Sequence, residues 1–462
     1  MGKTARYALP GLMLLLSGCS LVPPLERPEP PVASHWPGAA ESGKTDAVGV
    51  SWFQLAPDPR LQGLIQTALE SNRELRIAVG RVAEARALYG VVGADQLPTL
   101  NLGVGQSAAR LPADLSGSGK SVINRRLDVN LGVTAFELDF WGRVRSLSEA
   151  ARASYLATEQ AREAFRLSLV ADVANAYYTL LEFDERLRLA HDLADNRQRL
   201  RDLIQKRRDV GLAGDLDLLT AEGARDAARV QRLDLERNRA LAENALNLLV
   251  GAPTDQLPPP RRLVDQNLVL DLPIAPPSEV LLNRPDVRAA EQRLIAANAN
   301  IGAARAAFLP RVGLNLAFGT ASRTFSGLFD AGSGAWSFVP NLVQPLFDDG
   351  RNQAHFDLAE ARKTITVAEY EKSLQQAFRE VADLLVARDR LAEQLKAQEA
   401  LEKSQNQRLA LVEARHRAGA SHYLEVLDAQ REANAATQGV VPLRRALLVT
   451  AAQLYKAMGG VD

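Results

Sequence analysis

Residues 143–208 read RVRSLSEAARASYLATEQAREAFRLSLVADVANAYYTLLEFDERLRLAHDLADNRQRLRDLIQKRR and contain neither proline nor glycine. Ala, Leu, Arg and Glu dominate the run, and all are strong helix formers, so it predicts one unbroken helix of roughly 65 residues, about 100 Å long. Phe165, Leu169, Val173, Ala176, Leu180, Phe183, Leu187 and Ala190 step by fours and threes, the apolar seam of a coiled coil. Such a rod is several times longer than a bilayer core is thick and too polar to lie in one, so it must stand in water.

The run occurs twice. Residues 351–417 are again free of proline and glycine. Gly142-Arg143 is matched by Gly350-Arg351, Gly211 by Gly419, Leu216 by Leu424, Leu219 by Leu427, Ala221 by Ala429 and Gly251 by Gly459, all at an offset of 208. Upstream, Arg81 is matched by Arg293, Ala85 by Ala297, Gly90 by Gly302 and Leu97-Pro98 by Leu309-Pro310, at an offset of 212. The chain is therefore an internal duplication whose copies differ in length only between Pro98 and Gly142.

Ahead of each rod the period changes. Helical patterning over about 58–93 and 285–308 stops near Leu-Pro, where proline forbids continuation. Alternation follows: Leu100, Leu102 and Val104, then Leu127, Val129, Leu131 and Val133 before Phe136. The second copy gives Val312, Leu314, Leu316 and Phe318, then Trp336 and Phe338. Turn-rich segments, Pro112 to Lys120 and Ser326 to Gly334, separate the arms of each hairpin. Each copy thus reads helix, hairpin, long helix, turn, helix. Alternation alone fits a half-buried soluble hairpin as well as a membrane strand. Four strands cannot close a barrel, for which about eight are the minimum, and open edges are not tolerated in lipid. A trimer pooling twelve strands would close one.

The N-terminus carries an address. Lys3 and Arg6 precede a short apolar run, Tyr7 to Leu16, in the form of a secretory leader. Leu16-Ser17-Gly18-Cys19 then places small residues before the only cysteine. The segment resembles a bacterial lipobox, which implies lipidation of Cys19 and, with Ser20 following, sorting to the outer membrane; an ordinary signal peptide with an incidental cysteine is the alternative. Several acyl chains, at about 0.8 kcal/mol per buried CH₂, anchor stably where one chain is marginal. Pro23, Pro24, Pro28, Pro30, Pro31 and Pro37 make the next stretch an extended tether, and a second proline cluster from Pro253 to Pro285 joins the copies.

Composition excludes several classes. Lys plus Arg and Asp plus Glu balance at 55 each, leaving no basic footprint for nucleic acid. With only 13 Phe, 8 Tyr and 4 Trp in 462 residues, Leu and small residues must carry the packing. The five histidines are scattered without a cysteine or carboxylate set at metal-site spacing, and Met458 is the only methionine beyond the leader, so neither a zinc site nor a thioether path is expected. No phosphate loop, metalloprotease helix or nucleophile elbow occurs, so no enzyme and no cofactor beyond the lipid on Cys19 is expected.

Phe136-Glu137-Leu138-Asp139-Phe140-Trp141-Gly142-Arg143-Val144-Arg145 resembles the strand-to-helix signature of the outer membrane efflux proteins, the TolC/OprM type. Tyr423-Leu424-Glu425-Val426-Leu427-Asp428-Ala429-Gln430-Arg431 resembles that family's periplasmic-tip segment, and Asn283-Arg284-Pro285-Asp286-Val287 the start of its second copy. With the lipobox, the resemblance points to the NodT/OprM lipoprotein branch. It implies a mainly α protein with a transmembrane β portion: a homotrimer with a twelve-stranded β-barrel continuous with a twelve-helix periplasmic α-barrel. The function implied is the outer-membrane exit duct of a tripartite pump for drugs or other small toxic compounds, partnered by a periplasmic adaptor (membrane fusion protein) and an inner-membrane RND transporter. A type I protein secretion duct and a non-channel periplasmic coiled-coil lipoprotein are the alternatives. The division expected is 1–18 signal peptide, 19–57 lipidated tether, 58–252 first repeat (hairpin about 97–136), 253–284 connection and 285–462 second repeat (hairpin about 309–347).

Glu425 and Asp428, three apart, share a helix face near the Gly419 turn. If that face lines the closing end of a threefold tube, six carboxylates ring one axis, attracting cations and raising one another's pKa. Leu424 would supply an apolar constriction, and Arg431 would pair with Asp428. Asp217, at the position of Glu425 in the first copy, is a candidate for the same neighbourhood. A solvated helix face with a local Asp–Arg pair is the other reading of these residues. For the anchor, Cys19→Ser is expected to abolish lipid attachment while part of the activity survives through strand insertion; mass spectrometry finding Cys19 unmodified in the native protein would refute lipidation.

Overall fold

The computed structural model describes residues 21–37, 52, 56–254, 256–266 and 276–460. Cys19, the expected leader 1–18 and residues 38–51 of the expected tether lie outside the described residues. The elements run α1 (Pro59–Ser71), α2 (Arg73–Ala94), β1 (Leu100–Leu111), β2 (Val122–Leu138), α3 (Arg143–Asp209), α4 (Asp215–Val250), a 3₁₀ turn at Leu263–Asp265, α5 (Pro277–Asn283), α6 (Pro285–Ala306), β3 (Arg311–Ser322), β4 (Gly334–Val343), α7 (Arg351–Arg417) and α8 (Tyr423–Ala457). The runs without proline or glycine are the two longest helices, 67 residues each. No described helix is long and apolar enough to cross a membrane. The chain divides into two compact units, residues 1–29, 81–159 and 289–371 forming one and residues 30–80, 160–288 and 372–462 the other.

In the first unit the hairpins join into one antiparallel sheet of order β1-β2-β3-β4. Its register sorts the side chains. Leu102 pairs with Leu131, Leu131 with Phe318 and Phe318 with Trp336, putting these on one face with Val104, Val129, Val133, Leu316 and Phe338. The other face carries Asn101, Gly103, Asn130, Gly132, Ala317, Gly319 and Ser337. Trp336 and Phe318 are 75% and 71% exposed, so among the described residues nothing covers them on the apolar face. The polar face is built of small residues because the backbones come close: a Cβ on Gly319 would collide with the Val129 carbonyl oxygen.

A β-bulge keeps this sorting intact. The pairing slips between Val133 and Phe136, and Ala135 takes φ 56° while its N–H donates to Asn315 Oδ1 at 2.8 Å. The extra residue reverses the alternation, so Phe136 and Leu138 continue the apolar face and Glu137 falls on the polar one. Glu137 there accepts from Arg143 Nε and Nη2 at 2.8 and 2.6 Å, a bidentate pair whose hydrogen bonding raises the Arg143 pKa against the opposing effect of burial. Asp139 accepts from the Arg145 N–H at 2.8 Å, and Trp141 Nε1 donates to the Pro310 carbonyl at 2.8 Å. Gly142 turns the chain at φ 71°. The segment 136–145 is therefore a rigid elbow from strand to helix, with a carboxylate at the positive end of α3. In the second copy Asp348 serves α7, accepting from the N–H groups of Gly350 and Asn352 at 3.1 and 3.0 Å.

Small residues then fill the space between helices of this unit, as the scarcity of aromatics requires. Ala150, Ala153 and Ala157 of α3 and Ala296, Ala299, Ala303 and Ala306 of α6 are all buried. The N-terminal stretch lies on α6: Val22 packs against Gly302, Asn298 Nδ2 donates to the Pro23 carbonyl at 2.8 Å, and Arg27 pairs with Glu291.

The second unit repeats one device with different side chains. The helical patterning over 58–93 is broken at Asn72, which is extended at φ −62°, ψ 130° and separates α1 from α2. Arg284, 212 residues later, is extended at φ −66°, ψ 131° between α5 and α6. Residues 277–283, expected within the connection, are thus the counterpart of part of α1. Asn72 Nδ2 donates to the Leu249 carbonyl at 2.7 Å, and Arg284 Nη1 to the Ala457 carbonyl at 2.8 Å. Leu249 and Ala457 are themselves 208 apart, so each copy ties its entry hinge to the end of its last helix. Asp58 caps α1 through the Arg60 N–H and accepts from Tyr177 Oη at 2.8 Å. Burial, reinforced by that carboxylate, pushes the Tyr177 pKa up and keeps the phenol a donor.

Arg284 also reaches Asp286 at 2.8 Å and Glu380 at 2.6 Å, with its side chain only 6% exposed. Burial alone would raise the Asp286 pKa, but the hydrogen bonds and charge of Arg284, with the Val287 N–H, hold it below the usual carboxylate value. A depressed carboxylate stabilises fully above its unfolded pKa, about 3.9, and loses that contribution as pH falls through the folded value. Arg284→Ala is expected to cost roughly 3 kcal/mol at pH 7 and to flatten this acid-range slope, because Asp286, Glu380 and the Ala457 carbonyl lose a shared donor. Denaturant titrations between pH 7 and pH 3 check both; a loss under about 1 kcal/mol would contradict the assigned role.

Candidate functional site

The site candidates cluster at the turns 210–214 and 418–422 in the second unit. Both turns end a 67-residue helix in the same way. Gly211 and Gly419 adopt φ 76° and 75°, where a side chain would be strained. The Leu212 N–H reaches the Arg207 carbonyl at 2.7 Å and the Gly211 N–H that of Arg208 at 2.9 Å; Ala420 to Arg415 and Gly419 to His416 repeat this at 2.9 Å each. These are Schellman closures, which satisfy helix-end carbonyls and send the chain back antiparallel. His416 Nδ1 donates to the Ser421 carbonyl at 2.9 Å and Arg208 pairs with Asp215 at 2.7 Å, each pulling its turn closed.

Helix α8 leaves the second turn with Val426, Ala429 and Ala433 buried. Leu424, Asp428 and Arg431 lie on its opposite side, and Leu424 is 69% exposed. Glu425 is offset by about 60° from Asp428, as three residues at 100° each require. It is exposed, makes no side-chain hydrogen bond or ion pair among the described residues, and lies in the first turn, where the helix dipole favours an anion. Asp428 differs. Arg431 reaches one of its oxygens at 3.0 Å, and Arg408 from α7 the other at 2.8 Å, so the carboxylate bridges two helices. Arg431 also contacts Glu432 at 3.2 Å.

Asp217 has a local task in the first copy: its Oδ2 accepts from the Gly214 N–H at 3.1 Å, half of a capping box at the start of α4. Leu216, at the position of Leu424, is 78% exposed, and Val210 and Leu212 are each 69% exposed, so both turns carry apolar side chains outward. The sequence reading missed Arg408. A mirror of the helical pattern about Gly419 was the available signal, since residues 11 before and 9 after the turn fall opposite one another in an antiparallel pair. It also missed the relay in which Arg197 Nη1 donates to Gln430 Oε1 at 2.9 Å and Gln430 Nε2 donates to Glu413 Oε1 at 3.2 Å, joining α3, α8 and α7. Among the described residues no group of acids, histidines or cysteines is arranged to hold a metal ion.

A two-copy sheet with one bare apolar face, paired 67-residue helices and two matched turns define the architecture of an outer-membrane channel protein. The family model of the outer membrane efflux proteins matches residues 64–252 and 277–460, and the chain belongs to this family of outer-membrane transport proteins, which is not a family of enzymes. The toluene efflux pump outer membrane protein TtgF of Pseudomonas putida is 42% identical, over 98% of this chain and 96% of its own length. The outer membrane protein OprJ of Pseudomonas aeruginosa is 41% identical, over 97% and 94%. Among solved structures, the open state of the Neisseria gonorrhoeae MtrE outer membrane channel superposes with a TM-score of 0.87 at 36% identity, covering 96% of this chain and 98% of that one. CusC gives 0.85 at 37% identity, covering 96% and 100%.

Because Asp428 ties α7 to α8 and Glu425 ties nothing, the two acids should separate experimentally. Asp428→Asn is expected to speed amide hydrogen exchange over residues 418–424 by about two- to fivefold, the reach of an exposed ion pair of up to about 1 kcal/mol. Glu425→Gln should leave it unchanged. Equal rates in both variants would remove the cross-helix lock.

Proposed function

We propose that the chain is the exit duct of a tripartite efflux pump, working as a homotrimer whose four-stranded sheets close into one twelve-stranded barrel and whose helices form the twelve-helix periplasmic tube below it. The observation that carries this is the sheet: one face is apolar and uncovered, the other is small and polar, and β1 and β4 each have an unpaired edge. Lipid on the first face and water on the second satisfies both, and three copies edge to edge leave no open backbone. Exposed apolar residues on the helices, such as Val230, Leu241 and Leu248 of α4, are material for subunit contacts. Efflux rather than protein export is supported by the relatives, which are outer membrane proteins of toluene, solvent and antibiotic efflux pumps. A periplasmic adaptor and an inner-membrane RND transporter would complete the pump, and lipidated Cys19 would tether each protomer to the outer membrane.

The gate is the periplasmic end, where Leu424 and Glu425 of three protomers would meet with Asp428 clamped by Arg408 and Arg431 behind them. A duct closed by such links opens when the pump separates the helices. The detergent-purified protein is expected to be a trimer by light scattering and to form cation-preferring pores in planar bilayers; a stable monomer at all concentrations would refute the shared barrel. Glu425→Ala with Asp428→Ala removes two anions per protomer and releases two guanidinium groups, so the preference should shift toward anions. An unchanged reversal potential across a salt gradient, with trimers intact, would place the constriction elsewhere.

A further inference from the structure

A cavity of about 940 Å³ opens in the first unit between the N-terminal parts of α3 and α7 and one face of α6. Arg293, Arg311, Arg351, Arg362 and His355 line it. None of these four arginines makes an ion pair among the described residues. A fifth, Arg143, is occupied by Glu137 at 2.6 Å. Asp348 is the only carboxylate among the described lining residues, and its oxygens are already committed to the N–H groups that start α7. Among the described lining residues the guanidinium groups therefore outnumber the one carboxylate, and these four arginines are left without an ion-pair partner. Between the cations the wall is mixed: Leu147, Leu358, Ile365 and the alanines of α6 give it apolar patches, and Ser154, Asn300, Asn352 and Thr366 are its neutral polar groups.

The cavity faces away from the tether. Residues 21–27 cover the other side of α6, where Val22 meets Gly302, Arg305 Nη1 donates to the Leu21 carbonyl at 3.5 Å and Arg27 pairs with Glu291. Arg293, Ala297, Asn300 and Ala304 come round to the cavity side. If the duct is assembled as proposed, with the lipid-anchored tether outside, the cavity opens inward.

We propose that this cavity binds an amphipathic organic anion, a carboxylate or phosphate head on an apolar body, with the head between the arginines of α6 and α7 and the body against Leu147, Leu358 and Ile365. Planar guanidinium groups without carboxylate partners suit such a head bidentately, and anion binding relieves the repulsion among four like charges. A bare inorganic anion would leave the apolar patches unused. The ligand's source is either cargo in transit or a membrane lipid.

The test uses the full chain purified in a neutral detergent, with cholate titrated below its micellar range and its uncharged methyl ester as control, followed by calorimetry. Cholate should bind, the ester should bind at least about tenfold more weakly, and Arg293→Gln with Arg362→Gln should weaken cholate at least about tenfold while exposed Arg229→Gln on α4 changes nothing. A parallel titration with dihexanoyl phosphatidylglycerol against dihexanoyl phosphatidylcholine separates the sources: arginine-dependent binding of the glycerol lipid alone assigns the site to a headgroup, and of cholate alone to cargo. Equal affinity for cholate and its ester, or the same affinity in the double variant, overturns the site. Pore recordings on the same samples keep the two readings apart, since a working pore with arginine-independent binding sinks only this inference, and a protein that forms no pore sinks the duct.

Discussion

The sheet ends in two strands, β1 and β4, each with one unpaired edge, and the backbone groups along those edges constrain the rest of the molecule. β1 is 12 residues long. A ladder uses the groups on one side of a strand, so about a dozen N–H and C=O groups of β1 point outward. In hydrocarbon each unsatisfied group costs several kcal/mol, far beyond the 5–15 kcal/mol by which domains are stable. The apolar face of the same sheet, with Leu102, Leu131, Phe318 and Trp336 in line, favours that hydrocarbon. In the proposed trimer both demands are met because edges pair across copies, which sets the matched helices and turns of each protomer in register around one axis.

Duplication makes that register cheap to specify. Three glycine pairs shared between copies, 142 and 350, 211 and 419, 251 and 459, take positive φ, so they serve backbone shape while side chains around them diverge. Asn72 and Arg284 make the point in reverse. Unlike side chains at equivalent hinges bond equivalent helix-end carbonyls, at 2.7 and 2.8 Å. Asymmetry between copies then does separate jobs. In the first copy Asp217 caps a helix, whereas in the second Glu425 has no side-chain partner among the described residues and Asp428 is clamped from α7.

Much of this was legible in the residues. The absence of proline and glycine from 143–208 and 351–417 marked both rods; the bulge went unread, although the jump from Val133 to Phe136 in the apolar alternation carries its signal, because one inserted residue must reverse the parity of a strand. Other parts left no local signal. Asparagine is not a helix breaker, so the division at Asn72 depends on its reach to Leu249, 177 residues away. Arg408 becomes a partner of Asp428 only after the chain turns at Gly419. The arginine-lined cavity collects residues from five elements, α3, α6, β3, β4 and α7, and has no linear motif at all.

The shared barrel can be tested at its seam. Ser337→Cys on the polar face of β4 is to be combined in turn with Asn101→Cys, Gly103→Cys, Gly105→Cys and Ser107→Cys on the same face of β1, and the membranes oxidised. Within a protomer these positions have two strands between them, three strand spacings or about 14 Å, too far for a disulfide. The account predicts that at least one pair yields covalent dimers and trimers on a denaturing gel, reversed by reductant. Monomer alone across the whole set, with the protein folded and in the outer membrane, would contradict a barrel closed between copies.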